Sequence, residues 1–584
     1  MVRTFLQPSR KPLFRWIASS LMACSTFASE ARSQDLLAPP PRTPVAMPAA
    51  PLVKDPVPPS PGLPSVPVSA SQIRSALDQN AAPSRIEALN TAAPVDPALK
   101  AAIIDVLNER DAQKKREDEQ KKQAAAAEGY EVGSNRSLSA VWDEKGTLRF
   151  ISPNKDFNIH LGALAQFDSV WWNQPQKLKS PSNVGVDKLV DGSDFRRVRI
   201  KADGTMWDNI EFNFVTALEG LNIGFYDHMW VGFKDVPFFG SIQLGQHKIW
   251  QSMESIARNE DMAMMERSSL FDTFIQEFGL GIFQTRAFFD ERLTASSSFH
   301  RTSIFNGVAD GAMYANGQYA TSERITGLPI YEEDGRYLLH LGASYHWRQA
   351  NQDSSVTTPL TGGLPNGVAP NIVRFQSRAD LRDAVGVGSP AYTVGQRALQ
   401  GNNNRFIDTG NILADSVGTF ATELYGVYGP FSFLTESTFA SVNNAYFPAS
   451  NKGKSVGDQF FWGTNGQASY FLTGESRGYN KRYGYYDRVI PYGNAFFVKG
   501  ENGIERGIGA WELTYRFTYT DLNSPNATNA IRGGQLYSNT VGVNWHLNPN
   551  MRIMLNYTTA NRIVDAPNQS GLVQGIGTRI HVEF

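Results

Sequence analysis

The sequence predicts an all-β fold: a transmembrane antiparallel β-barrel of sixteen strands, preceded by a Pro-rich linker and a short helical, coiled-coil-like N-terminal region. Three observations lead there. Apolar and polar residues alternate with a period of two through most of the chain beyond Leu148, the pattern of strands with unlike faces. No run of about 18 apolar residues occurs and mean hydropathy is −0.32, which excludes helical membrane spans but not a barrel, whose apolar residues are every second one. The links between alternating segments are short in some places and long in others, as in barrels with tight turns on one rim and loops on the other.

The part before the barrel takes three pieces. Residues 1–33 read as a secretory signal peptide: Arg3, Arg10, Lys11 and Arg15 precede the weakly apolar stretch Trp16–Ala28, with cleavage expected near Ala28–Ser33. Cys24 lies inside it, and as the single cysteine it excludes an intramolecular disulfide and a cysteine-based zinc site. Leu21-Met22-Ala23-Cys24 also resembles a lipoprotein acceptor, but Met fits poorly before Ala and plain export is favoured. Residues 34–70 are rich in Pro and Ala, lack periodicity and read as an extended spacer. Residues 71–130 carry helical patterns, the longest opening at Asp96-Pro97 with Leu99, Ile103, Val106 and Leu107 on one side. A mixed-sign run from Lys114 to Lys122 follows, so an oligomerising helix and a charged spacer fit equally well, and cell-wall contact is a further role for this segment.

Residues 140–584 are the expected barrel. Phe157, Ile159, Leu161, Ala163, Ala165 and Phe167 alternate with polar residues or glycine, Val198 and Ile200 with Arg197, Arg199 and Lys201, and Phe212 and Phe214 with Glu211 and Asn213. Similar segments lie near 224–234, 240–248, 277–288, 292–301, 337–348, 415–428, 431–442 and 459–473. Trp511 to Tyr519, Tyr537 to Leu547 and Ile553 to Tyr557 continue the series. The last segment places Ile576, Ile580, Val582 and Phe584 opposite Gly577, Arg579, His581 and Glu583, and its closing aromatic resembles the C-terminal signature of bacterial outer-membrane barrels. These are about fifteen candidates; since single-chain bacterial barrels have even strand numbers, one strand is missed and sixteen are expected. The long links, 302–336, 349–414 and 474–507, are assigned to the loop rim.

With the apolar face toward lipid, the other face lines a water-filled lumen, where polar residues cost little. Arg197, Arg199 and Lys201 then form a basic ladder with rungs about 7 Å apart, able to hand an anion from step to step. The alternative is that these cations pair with wall carboxylates such as Glu211 or Glu219. Gln251–Phe274 is not β-patterned and is too apolar to hang in water. It is expected to hold a short helix, fold into the lumen and set the constriction through Arg258, Glu260, Asp261, Glu266 and Arg267.

Several ordered pieces resemble the family of phosphate-selective porins O and P over Leu148 to Phe584: Phe195-Arg196-Arg197-Val198-Arg199, Leu244-Gly245-Gln246, Met265-Glu266-Arg267-Ser268, Gly474-Glu475-Ser476-Arg477, Gly509-Ala510-Trp511-Glu512-Leu513, and Gly542-Val543-Asn544-Trp545 with Leu547-Asn548-Pro549-Asn550. The resemblance implies sixteen-stranded homotrimeric channels in the outer-membrane lipid that pass small ions and anionic solutes, with Arg196 and Arg197 near the narrow part. One position departs. Where phosphate-specific members carry a lysine, six residues before the Glu of the Glu-Arg pair, this chain has Glu260. Residues 135–584 also carry 39 Lys and Arg against 42 Asp and Glu, so the barrel is not basic as a whole. Phosphate selectivity therefore does not follow from the resemblance.

The expected function is passive diffusion of small hydrophilic solutes and ions across the bacterial outer membrane, possible anions such as phosphate and polyphosphate included. The alternative is a structural barrel tethered to the cell wall through its N-terminal segment. No catalytic, cofactor or metal residues are expected: HExxH is missing, the single cysteine lies in the expected signal peptide, and the net charge of −1 gives no field for nucleic acid.

Overall fold

The computed structural model describes residues 131–584, apart from residue 144 and residues 180–185, 187, 219–224, 276–277, 302–318, 351–371, 383–404, 411, 447–454, 501–502 and 526–528. The expected signal peptide, spacer and charged helical segment lie outside the described residues.

Sixteen long strands follow one another around a ring. They are β1 (Asn158–Asn173), β2 (Gly192–Met206), β3 (Ile210–Ala217), β4 (Phe225–Val236), β5 (Gly240–Lys248), β6 (Phe278–Phe288), β7 (Leu293–Arg301) and β8 (Tyr319–Glu332), then β9 (Tyr337–Gln349), β10 (Ser416–Tyr428), β11 (Phe431–Tyr446), β12 (Ser455–Phe471), β13 (Ala510–Asn523), β14 (Arg532–Asn548), β15 (Met551–Ile563) and β16 (Gly571–Glu583). Each is antiparallel to the next, and β16 pairs with β1 from Gln574↔Asn173 to Glu583↔Leu164, closing the sheet. Closure leaves no long open edge, which is what a sheet in hydrocarbon requires. A small hairpin, Ser139–Trp142 with Leu148–Ile151, continues from β1 on the rim where β16 ends.

The alternation read from the sequence is the alternation of faces. On β1, Leu161, Phe167 and Trp171 are exposed on the outside, whereas His160, Leu164, Gln166 and Val170 are buried inside. On β13, Leu513 and Tyr515 point out while Glu512, Arg516 and Thr518 are buried within the lumen. A ring of aromatics marks the rim with the short turns. Trp511 stacks on Trp545 at 5.1 Å, and both indole N–H groups donate to the Ile508 carbonyl. Such rings suit the membrane interface, where an apolar body and a polar tip are both accommodated.

The sixteenth strand is β8, inside the stretch expected as one long loop at 302–336. Its inner face is Ala320, Ser322, Arg324 and Thr326, and its outer face includes Thr321, Glu323 and Gly327. With so little apolar contrast, period two was invisible there. A second correction concerns 474–507. This link joins β12 to β13 on the short-turn, periplasmic rim rather than the loop rim. Much of it turns back into the barrel: Arg477 pairs with Glu512, Tyr479 donates its hydroxyl to His340 Nδ1 or accepts from it at 2.6 Å, and Arg488 Nη2 lies 2.7 Å from Glu583.

The expected in-folding of Gln251–Phe274 is present, with α1 (Met253–Ile256), a 3-10 turn at Asn259–Asp261 and α2 (Ser269–Phe274). Ser252 and Ser268 cap the two helices through the Ser255 and Phe271 N–H groups, each at 3.3 Å. From the same rim the described parts of 349–414 also enter, packing Phe375, Phe406 and Ile412 against α2 and the walls of β10 to β15.

Val541, 49% exposed near the middle of β14, tests the lipid-facing assignment. Val541→Arg should cost about 2–4 kcal/mol in denaturant unfolding from lipid vesicles. A cost under about 0.5 kcal/mol would contradict it.

Candidate functional site

A β-bulge builds the upper part of the candidate site. Between β1 and β2 the register passes from Gln166↔Arg197 directly to Phe167↔Phe195, leaving Arg196 as the extra residue. Phe195 therefore stays outside, edge-on to Phe167 at 5.4 Å, while the consecutive Arg196 and Arg197 both reach Glu266 in the lumen. Arg196 donates two bonds to the Glu266 carboxylate, at 2.7 and 3.0 Å. Arg579 of β16 donates a third at 2.7 Å and bridges to Asp168, and Arg382 and Arg197 lie at 3.5 and 3.8 Å. Four guanidiniums thus surround one carboxylate. Burial pushes the Glu266 carboxyl up, but Arg196, Arg197, Arg579 and Arg382 outweigh it and hold the group well below the usual carboxylate range.

A second level lies one step toward the periplasm. Lys201 donates to Glu260 and sits 3.8 Å from Glu583. Burial opposes ionisation of Glu260, yet Lys201 and Arg258 keep it well below the usual carboxylate range. Arg258 grips Asp261 with bonds of 2.6 and 3.0 Å and lies 3.7 Å from Asp487 of the in-turned periplasmic segment. Arg197 and Lys201 of the ladder are paired, but not with Glu211 or Glu219, the wall carboxylates expected. Glu211 instead faces Arg482 at 3.5 Å, and Glu219 lies outside the described residues. The partners come from the in-folded loop, whose spacing from β2 in sequence hid them.

Arg267 serves the loop itself. It donates to the Glu254, Ser255 and Ala257 carbonyls at 3.0, 3.4 and 3.2 Å and covers the Phe271 ring at 4.5 Å. Cations outside the loop do the same: Arg516 of β13 reaches the Glu266 carbonyl at 2.9 Å, Arg552 of β15 the Met262 carbonyl at 2.8 Å and the Glu260 carbonyl at 2.5 Å, and Arg477 of the periplasmic link the Asp261 carbonyl at 2.8 Å. Arg516 also ties Asp380 of the second in-folded loop, at 3.0 Å, to Glu254, at 3.3 Å. Arg516, Arg552 and Arg579 stand on the lumen side of alternating strands, a signal that sequence reading could have used. Arg382 and Asp380 lie in a loop without periodicity and gave none.

Exposure separates two kinds of cation. Arg382, Arg258 and Arg196 keep 42%, 35% and 20% of their side chains accessible, whereas Arg516 and Arg579 keep 1% and 0%. Arg197 falls with the buried group. The first set can meet a passing solute; the second holds the walls and loops in place. Among the described residues no cluster of three or more His, Cys, Asp and Glu is arranged to hold a metal ion.

A closed sixteen-strand barrel with arginines gathered around an in-folded loop narrows the comparison with known proteins. The family model described as phosphate-selective porin O and P matches residues 182–364 and 364–584. The chain belongs to that family. Porin O of Pseudomonas aeruginosa is 24% identical over 466 residues, covering 75% of this chain and 91% of that protein. An uncharacterised protein of Caulobacter vibrioides is also 24% identical, over 456 residues, 75% of this chain and 76% of its own length. Among solved structures, Salmonella typhi OmpF in complex with daunomycin is 12% identical with a TM-score of 0.40, covering 76% of this chain and 100% of its own. Vibrio cholerae OmpT is 8% identical with a TM-score of 0.38, at 74% and 98% coverage. This porin is an outer-membrane protein whose barrel forms a water-filled channel for small hydrophilic solutes and ions.

Glu266 tests how the constriction is held. Glu266→Gln leaves buried guanidiniums without their counter-ion and should lower stability by about 3–5 kcal/mol in chemical unfolding. Because the carboxyl is depressed in the folded chain, its contribution is fully present above the ordinary glutamate value of 4.5 and is lost as pH falls through the folded value. The hydrogen-exchange protection factors of residues 258–267, the intrinsic exchange rate over the observed one at each pH, should therefore stay flat from pH 7 to 5 and fall only under stronger acid. Loss of protection near neutrality would contradict the assignment.

Proposed function

We propose that this porin conducts anions in preference to cations, phosphate among them, through the section bounded by Arg196, Arg199, Lys201, Arg258 and Arg382. The observation that carries this is the balance of groups open to water at the narrowest level. The partly exposed Arg196, Arg258 and Arg382 face Glu266 and Asp261, which are already gripped by guanidiniums and almost fully covered. A solute meets the exposed edges of cations whose counter-charges lie behind them, and the field in a narrow, partly desolvated passage favours negative charge.

Glu260 does not reverse this. Its carboxylate takes the Lys201 ammonium, so the carboxylate that stands where phosphate-specific relatives carry lysine is neutralised by the ladder's last rung. What is lost is one free cation, which weakens phosphate binding without making the passage cation-selective. The printed name of the Pseudomonas aeruginosa relative, Porin O, and the family description support phosphate as a solute. The same reading makes the channel a homotrimer and assigns it transport rather than catalysis.

The test is the zero-current potential in a planar bilayer under a salt gradient, with and without added phosphate. Anion preference with partial block by phosphate is expected. Lys201→Met should move the potential toward cations by leaving Glu260 uncompensated, and Glu260→Gln should move it further toward anions and deepen the phosphate block. Cation preference in the unaltered protein would overturn the reading.

A further inference from the structure

Below the constriction, between strands β1 to β5 and the in-turned periplasmic segment, lies a cavity of about 420 Å³. Its size falls in the range of sites for small organic molecules, roughly 300–1,000 Å³, and exceeds what a bare inorganic anion fills. Seven Lys and Arg against four Asp and Glu line it among the described residues. Lys145 and Arg149 stand toward the periplasmic opening, and Lys201 and Arg258 at the constriction end.

The rest of the wall is unlike an ion path. Trp250 and Tyr483 lie with nearly parallel rings, 11° apart and 6.4 Å between centroids, and His247 sits 4.8 Å from Trp250 and 5.5 Å from Trp230. Trp250 and Trp230 are 1% and 8% exposed, and neither indole N–H has a hydrogen-bond partner among the described residues. Asn213 Oδ1, Asn259 Oδ1 and His160 Nε2, which line the same cavity, are also without one. Buried polar atoms are almost always satisfied, so a concentration of unsatisfied donors and acceptors beside aromatic planes marks a place for a polar molecule.

We propose that this cavity is a binding station for phosphate monoesters of small sugars. The phosphate meets the cations; the hydroxyl-bearing ring meets the half-buried Asn213, Tyr483 and Tyr485, which Trp230, paired with Asn213, and Trp250, stacked on Tyr483, hold in place. The proposal rests on the anion-conducting reading above and names a solute class for it. The station is distinct from the Glu266 cage, since Arg196, Arg197, Glu266 and Arg382 are not among the residues that line the cavity.

The full-length protein in planar bilayers decides it, using chloride current and three probes: glucose 6-phosphate, inorganic phosphate and glucose. Glucose 6-phosphate should half-block the current at a concentration at least threefold below inorganic phosphate, with no block by glucose. Trp250→Ala should raise the half-blocking concentration of the ester at least threefold more than that of inorganic phosphate. Trp230→Phe, which keeps a ring beside Asn213, should shift the ratio the same way by a smaller factor and stands in if the alanine variant fails to fold. Equal block by the ester and inorganic phosphate, or a ratio that both variants leave intact, would overturn the sugar-phosphate station alone. Loss of anion preference in the unaltered channel would instead overturn the reading beneath it.

Discussion

The constriction depends on one constraint: irregular backbone inside a barrel must find hydrogen-bond donors away from bulk water. The loop Gln251–Phe274 has only two short helices, so most of its carbonyls have no internal partner. Arginines answer this, because a guanidinium offers five donors and stays charged when buried. Arg516, Arg552 and Arg579 from the wall, Arg477 from the periplasmic side and Arg267 within the loop each bond loop carbonyls. Basic residues in this lumen are therefore first a scaffold. Only those left partly open to water can act on a solute.

The same constraint explains the carboxylates. Glu254, Glu266, Asp380 and Glu512 are buried, and each is matched to at least one guanidinium. A buried charge that lost its partner would be strongly destabilising, whereas a satisfied network fixes one arrangement of loop on wall. Positive and negative groups are thus nearly equal in number across the barrel while the water-facing edge of the narrow section remains basic.

Much of the fold was legible because a lipid-facing strand must be apolar on every second residue. Leu513 and Tyr515 against Glu512 and Arg516 show this without ambiguity. β8 escaped because Thr321, Glu323 and Gly327 interrupt Tyr319 and Ile325 on its outer face, and alternation is faint when polar residues stand on both faces. The basic ladder of β2 was legible as a ladder, and the bulge that turns Arg196 inward beside Arg197 was not, since a bulge has no mark in hydrophobic periodicity. Partners such as Glu260 for Lys201 and Arg382 for Glu266 are set by how loops cross the lumen. That information resides in tertiary packing, and local pattern does not carry it.

The seam between β16 and β1 joins parts of the chain that are far apart, as in the bond between Gln166 and His581, 415 residues from one another. Contacts of such separation are slow to form. Arg579 reaches Glu266 only when that seam has zipped, and Arg477 reaches Asp261 only when the periplasmic segment has swung in. The ring of guanidiniums around Glu266 is therefore complete only in the closed barrel. Placing Arg579 on the final strand ties the cage around Glu266 to closure of the wall.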